Sequence, residues 1–473
     1  MSVLDLAFSP RSIAVVGASS NPDSRTNQNF LRPLLAFGCK ARVYPVNPYL
    51  SEVVGLKAYA SIQDITEAVD YVICAVPAPL TPQVMQDCAA ARVRVAAIFT
   101  AGFSETGEET GRRLERDIVD IARHSGVRVI GPNCLGVHCP ESGVSLEADI
   151  PRRSGHVGFI SQSGGNAKEL ILAGAEHGIF FSKVVSYGNA TDLNEADFLE
   201  YFARDKDTRI IAAYIEGIKQ PQRFVKALKE AGAAKPVIIL KGGKTEAGAG
   251  AAISHTGALS GSKDTWDALC RQTGTIQAGN LEEIADAILA FSLLKPPRGK
   301  RIGIIGIGGG ASVQAADDCE SCGLILPAFP DKIRQELRKF APPAGTGFRN
   351  PIDASAEVYW NPASFAETIS LVANWDGVDA LIVMLSATAT LRRGIETLRA
   401  QIEAVIEVGM RSDKPLAIVL RTGNIARAEE MAREVEERCV EAGFPVYPSC
   451  SRAAQAISRL ICYHEERRFQ VQR

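Results

Sequence analysis

One histidine, His255, sits in a run of small residues from Lys241 to Ser262, KGGKTEAGAGAAISHTGALSGS, with Gly242, Gly243, Gly248 and Gly250 before it and Gly257 and Gly261 after it. Backbone so rich in glycine can move. An imidazole near its own pKa can attack a phosphoryl or acyl centre without a strong base and later release the group. A group-carrying loop is one chemistry the segment offers; a surface loop that happens to hold a histidine is the other. Ser161-Gln-Ser-Gly-Gly165 follows the apolar run Val157 to Ile160 and precedes a helical pattern from Ala167 to Ala175, so a strand, a tight turn and a helix start are expected there. The amides of Gly164 and Gly165, the hydroxyls of Ser161 and Ser163 and the positive end of the helix dipole would favour phosphate. Ala213 to Ile218, AYIEGI, reads as a strand ending in Glu216. A carboxylate facing an imidazole fixes its tautomer and raises its basicity.

Strand-length apolar runs alternating with amphipathic stretches must position these groups, which predicts doubly wound α/β domains. Three are expected: residues 1–135, 150–295 and 299–473, the last boundary falling at Lys295-Pro-Pro-Arg-Gly-Lys300. Predicted strands are Ser12 to Val16, Arg42 to Val46, Tyr71 to Val76, Val95 to Phe99 and Val127 to Ile130, then Val157 to Ile160, Ile210 to Glu216 and Val237 to Lys241, and finally Arg301 to Ile307, Ala380 to Leu385 and Leu416 to Leu420. The first glycine turn, Val15-Val-Gly-Ala-Ser-Ser20, lacks the full GxGxxG pattern, and the second strand ends in Pro45-Val-Asn-Pro48 instead of an acid. Both features disfavour NAD, while Asn47 with Lys40 and Arg42 suits a nucleotide carrying an extra phosphate.

A chain of 473 residues, 46% hydrophobic, can bury several cores, and its formal charge of -2 argues against a nucleic-acid or anionic-membrane surface. The longest apolar stretches are strand-sized and the start lacks a basic leader, so neither a membrane span nor a signal peptide is expected. Eleven scattered cysteines, an odd number, read as reduced cytoplasmic thiols. Cys319 and Cys322 form a lone CxxC pair, and no metal site is expected.

Together SHTGALSG around His255, YIEGI around Glu216 and SQSGG resemble the α side of the NDP-forming acyl-CoA synthetases, the family that includes succinyl-CoA synthetase and the ADP-forming acetyl-CoA synthetases. The likeness continues through VVGASS, YPVNP, AVPA, TAGFSE and GPNCLG at the front and IGGGAS and NPIDAS further on. It implies a CoA-binding Rossmann-like domain, a succinyl-CoA synthetase-like ligase domain with a phosphohistidine loop, and a second flavodoxin-like ligase domain. His255 would be phosphorylated in turnover and Glu216 would support it. Gly17, Ala18, Ser19 and Ser20 would lie against the phosphates of coenzyme A, Val46, Asn47 and Pro48 near its adenosine, and Val76, Pro77 and Ala78 along the pantetheine. Asn133, in Gly131-Pro-Asn-Cys-Leu-Gly136, would orient the thioester end or the acyl carboxylate; Cys134 beside it is not expected to be a nucleophile. Gly308, Gly309 and Gly310 would open a second phosphate-holding helix that converges with Ser163, Gly164 and Gly165. Asn350-Pro-Ile-Asp353 either lies near that site or is a turn whose Asp caps the next helix.

An ATP-grasp domain, which the family needs to bind nucleotide, is not recognisable. The resemblance therefore implies a separate α subunit that works with an ATP-grasp β subunit carrying ATP or ADP and Mg, as an αβ pair or α2β2. The implied reaction interconverts acyl-CoA, ADP and phosphate with a small carboxylic acid, ATP and coenzyme A through acyl phosphate and phosphohistidine. A CoA-binding regulatory protein without ligase activity is the alternative. An NAD oxidoreductase is disfavoured by the first glycine turn.

Overall fold

The computed structural model describes every residue except 1, 22, 146, 249, 251–262, 343–346 and 472–473. By internal contacts the chain divides into two compact units, Met1–Ala175 with Ile179–Ile284, and Glu176–Gly178 with Ala285–Arg473. Among the described residues the first unit carries two large sheets and a small antiparallel pair (Glu52–Val53 with Leu56–Lys57), and the second carries one large sheet; the large sheets are mainly parallel, in keeping with the doubly wound α/β class that the sequence alternation predicts.

In the first sheet β1 (Ser12–Val16), β2 (Arg42–Val46), β3 (Tyr71–Cys74), β4 (Val95–Ile98) and β5 (Arg128–Ile130) run in the order β2-β1-β3-β4-β5. Successive residues of a strand point to opposite faces. Ile13, Val15, Tyr71, Ile73 and Ala97 accordingly join one apolar cluster, and Ala14, Val16, Val72, Cys74 and Ala96 join another. Burial on both faces is what lets these strands be continuous apolar runs.

The second sheet has β6 (Gly136–His138), β7 (Val157–Ser161), β8 (Phe181–Ser186), β9 (Ile210–Ile215), β10 (Val237–Lys241) and β11 (Ile276–Ala278), in the order β11-β10-β9-β7-β8-β6, with β6 antiparallel to β8. The apolar cluster under the first sheet continues through Ile160, Val185, Ile211, Ala213 and Ile239 of the second, so both sheets share one core. Strand β8 is the main departure from the expected elements. Its FSKVVS places a lysine among apolar residues and reads as surface, yet the Lys183 ammonium is paired at 2.9 Å with Asp205 and 2.8 Å with Asp207, which lets the strand be buried.

In the second unit β12 (Ile302–Gly306), β13 (Gly347–Phe348), β14 (Ile352–Asp353), β15 (Ala380–Ser386), β16 (Leu416–Arg421) and β17 (Val446–Tyr447) are ordered β13-β14-β12-β15-β16-β17 around a core of their own. No helix among the described residues is long and apolar enough to cross a membrane.

Strand order reverses once in each sheet: between β1 and β3, between β7 and β9, and between β12 and β15. Helices leave to opposite faces at such a point and open a crevice at the carboxyl ends of the strands, the favoured ligand position in α/β sheets. A glycine turn follows the strand at each of them: Gly17 after β1, Gly164 and Gly165 after β7, and Gly308 to Gly310 after β12.

Candidate active site

At the first crevice Gly17 has a φ of +93°, and a Cβ there would stand 2.7 Å from the Ala75 carbonyl oxygen, so only glycine lets the turn after β1 lie flat on the loop after β3. The Gly17 amide donates to the Val46 carbonyl at 3.1 Å. Asn47 Nδ2 donates to the Ala18 carbonyl at 2.7 Å while its Oδ1 accepts the Tyr49 amide at 2.8 Å. Where a dinucleotide fold keeps an acid for ribose, this chain has a residue that ties two loops together. Asn27, to which the sequence reading assigned no role, is buried and donates to the carbonyls of Ser19 (2.6 Å) and Asn21 (2.8 Å), shaping the Gly17 to Ser20 turn. Thr100 donates its hydroxyl to the Val76 carbonyl and its own carbonyl accepts the Asn133 amide at 3.0 Å. Gly17 to Ser20, Val46 to Pro48, Val76 to Ala78 and Asn133 thus line one edge of the sheet. Lys40 and Arg42 do not join them. They lie at the opposite, amino-terminal end of β2 from Asn47, where Arg42 pairs with Glu67 and Lys40 with Glu141 at 3.4 Å.

Residues 131–135 link the two sheets of the first unit. Asn133 takes a left-handed φ of 57° because its neighbours are held: the carbonyls of Pro132 and Gly131 accept the amides of Asn189 (3.0 Å) and Thr191 (3.1 Å). Leu135 donates its amide to Ser186 Oγ at 3.2 Å, and its side chain packs on Gly164, where a Cβ would come within 2.8 Å of Leu135 Cγ. The edge at Gly17 and the SQSGG turn are therefore joined through two residues. Cys134 is buried, which pushes its thiol up to about 12 and keeps it protonated at neutral pH.

At the second crevice Ser161, completely buried, donates its hydroxyl to the Ser163 carbonyl at 2.6 Å and accepts the Ser163 amide at 3.3 Å. Its hydroxyl is thus engaged in shaping the turn. Ser163 Oγ accepts the Asn166 amide at 3.3 Å, starting helix α1 (Gly164–Glu176). The first-turn amides at Gly164 and Gly165 have no partner within the helix and form the positive end of its dipole.

Glu216 follows β9 directly and is buried. Tyr214, two residues earlier on the same strand face, donates its hydroxyl to Glu216 Oε1 at 3.0 Å. Burial first, and the carboxylate second, hold the Tyr214 hydroxyl well above its ordinary pKa, so it remains a donor. Gln162 Oε1 accepts the amides of Glu216 (2.6 Å) and Gly217 (3.0 Å). From β10, the buried Lys241 donates to the Glu216 carbonyl at 2.6 Å and to the Gly242 carbonyl, and burial pushes its ammonium down to about 8. Register brings these together: Tyr214 pairs with Ser161 of β7 and Ile215 with Lys241 of β10. Gln162, Tyr214 and Lys241 were not assigned roles from sequence. Tyr214 was detectable, since strand periodicity alone places it beside Glu216. His255 lies outside the described residues.

In the second unit Gly308, Gly309 and Gly310 are exposed and open helix α2 (Gly309–Ser321). The Gly308 amide donates to Asp353 Oδ1 at 2.6 Å. Asp353 therefore reaches the glycine turn, and the helix that follows it in sequence is capped by Ser355, whose Oγ accepts the Val358 amide. Asn350 is a structural tie: it accepts the Ile304 amide (3.1 Å) and donates to the carbonyls of Ile302 (2.8 Å) and Pro327 (3.1 Å). Among the described residues no cluster of His, Cys, Asp or Glu has the makings of a metal site.

Three family models match the chain: a CoA binding domain over residues 11–140, a succinyl-CoA ligase like flavodoxin domain over 154–291 and a ligase-CoA domain over 302–449. The α subunit of acetate–CoA ligase (ADP-forming) II of Pyrococcus furiosus is 37% identical over 461 residues, covering 97% of each chain. Acetate–CoA ligase (ADP-forming) I of Archaeoglobus fulgidus is 36% identical over 82% of this chain, which spans 56% of that longer protein. Among solved structures, a dinucleotide forming acetyl-coenzyme A synthetase 1 from Ca. Korarchaeum cryptofilum, in complex with phosphate and ADP, matches with a TM-score of 0.85 at 33% identity, covering 99% of this chain and 98% of that one.

Proposed function

Because the chain belongs to the family of ADP-forming acyl-CoA ligases, on the α-subunit side, we propose that it carries a phosphoryl group on His255 between an acyl phosphate and ADP held by a separate ATP-grasp partner. The observation that carries this reading is the second crevice. A buried carboxylate, Glu216, is fixed by Tyr214, Gln162 and Lys241 beside an open helix N-terminus at Gly164 and Gly165, and the histidine follows the β10 end of that crevice in sequence.

Coenzyme A is held along the edge formed by Gly17 to Ser20, Val46 to Pro48 and Val76 to Ala78, a surface where glycine allows close approach of backbone and where an acid for ribose is replaced by Asn47. Asn133, at the junction of that edge with Gly164, orients the acyl end. A phosphate oxygen attacks the thioester carbonyl; the C–S bond breaks and the thiol leaves with a proton. His255 then attacks phosphorus, the P–O bond to the acyl group breaks, and the carboxylate departs. ADP takes the phosphoryl group from the ring nitrogen and regenerates histidine. Glu216 holds the imidazole tautomer and offsets its positive charge, and the α1 amides offset charge on the transferring phosphoryl group. The acid is a carboxylic acid, the nucleotide and its Mg belong to the partner, and the chain works in the cytoplasm.

The test is labelling with γ-phosphate-labelled ATP in the presence of the ATP-grasp chain. The label is expected on the wild-type chain, lost in acid and kept in alkali as for a phosphoramidate, and absent from His255→Asn. Undiminished labelling of that variant would remove the carrier role.

A further inference from the structure

Beneath the Glu216 strand end lies a set of buried side chains of which only Gln162 enters the site described above. Gln162, Tyr187 and Glu195 are each no more than 2% exposed. Glu195 is the first residue of helix α3 (Glu195–Arg204), and its Oε1 accepts the Lys219 amide at 3.2 Å. With Gln162 Oε1 on the amides of Glu216 and Gly217, two buried side chains hold three of the four amides from Glu216 to Lys219. The remaining polar atoms of the set, Gln162 Nε2, Tyr187 Oη and Glu195 Oε2, are buried without a hydrogen-bond partner.

Burial is the largest influence on Glu195 and disfavours a charge on it, outweighing the amides of Glu195 and Lys219, which favour one. On its own helix Asp197 repels it, although Asp197 is itself tied to Arg223 of the next helix at 2.8 Å. Lys219, beyond β9, is exposed; its attraction for the carboxylate exceeds the Asp197 repulsion but is outweighed by burial. Tyr187 lies within electrostatic reach of Glu195, Glu216 and Tyr214, and β7 contributes no titratable side chain. A carboxylate with one oxygen unpartnered and no cation against it is costly to bury.

We propose that Glu195 is a positioning residue for Glu216, clamping the Glu216–Lys219 segment with a neutral carboxyl, and that its ionisation displaces the segment. Burial pushes the Glu195 carboxyl up to about 7, which puts the change within the neutral range. The inference rests on the phosphohistidine reading for its catalytic consequence but not for its structural one.

The structural arm is hydrogen exchange of the Glu216–Lys219 amides in the chain alone, corrected for intrinsic rates. Protection in wild type should fall about tenfold between pH 6 and pH 8.5, stay high at both in Glu195→Gln, which is neutral throughout, and be low at both in Glu195→Ala. The catalytic arm is single-turnover labelling of His255 with the ATP-grasp partner. The ratio of Glu195→Gln to wild-type rate should be near one at pH 6 and rise about tenfold by pH 8.5. Protection in wild type that does not change with pH, or a rate ratio that stays constant, overturns the proposal. If exchange behaves as expected while wild type takes no label, the clamp stands and the carrier reading of His255 fails.

Discussion

Replacing Gly188 by alanine should break the junction that sets Asn133. Gly188 has a φ of +51°, and a Cβ built on it would stand 2.2 Å from the carbonyl oxygens of both Pro132 and Asn133. Those oxygens are backbone and cannot swing aside, and the Pro132 carbonyl already accepts the Asn189 amide at 3.0 Å. Left-handed backbone costs about 1 kcal/mol for a residue with a Cβ, displacement of packed neighbours about 1–3 and loss of the Asn189 bond about 1, so roughly 3–5 kcal/mol in all. At roughly 2 °C per kcal/mol for a unit of this size, the unfolding midpoint should drop by about 6–10 °C. Gly38→Ala is the matched control: its φ is +70° and nothing lies within 4 Å of the added Cβ, so only the backbone term, about 1 kcal/mol, should remain. Thermal scans of both variants, with coenzyme A titration and thioester formation alongside, separate clash from backbone strain. Thioester formation should fall in Gly188→Ala at temperatures where it is still folded, because Asn133 moves with the carbonyls. Equal midpoint shifts in the two variants would refute the steric account of this junction.

Glu216→Gln keeps the shape and the Tyr214 bond but deletes the charge proposed to support the histidine, so single-turnover phosphorylation should slow by about 10²-fold or more with no change in unfolding midpoint; a wild-type rate would make Glu216 a strand-end residue only. The purified chain alone should bind coenzyme A yet make no thioester from acid, ATP and coenzyme A until the ATP-grasp chain is added, and thioester formed without that chain would overturn the two-subunit reading. Lys241, pushed down to about 8 by burial, holds fewer protons in the folded than in the unfolded chain between about 8 and 10.5. Stability lost to its burial is therefore fully felt below pH 8 and recovered as pH rises through that window. Against Lys241→Met, the wild-type midpoint should gain on raising the pH from 8 to 10, and a constant gap between the two would show that the ammonium is not desolvated.

The amino-acid sequence by itself determined the class of fold and the chemistry on offer. Apolar runs such as Ile13 to Val16 and Val237 to Leu240 specify buried parallel strands because each must satisfy two apolar faces. Glycine turns after them mark strand-to-helix corners through backbone sterics that act locally. Motifs such as SQSGG and YIEGI are legible for the same reason, since a turn and the residue types in it are adjacent in the chain. Strand β8 escaped because Lys183 looks solvated until Asp205 and Asp207 are known to meet it.

Tertiary structure decided which side chains meet at each of those corners. Lys40 and Arg42 are near Asn47 in sequence, but a five-residue strand carries them to the far end of the sheet. Gln162, Tyr214 and Lys241 surround Glu216 because parallel pairing places Tyr214 against Ser161 and Ile215 against Lys241. Asp353 caps Gly308 across 45 residues, and Glu195 grips Lys219 across 24. Such partners are chosen by strand order and crossover direction, which depend on how whole βα units pack, and side-chain types alone carry no record of that choice.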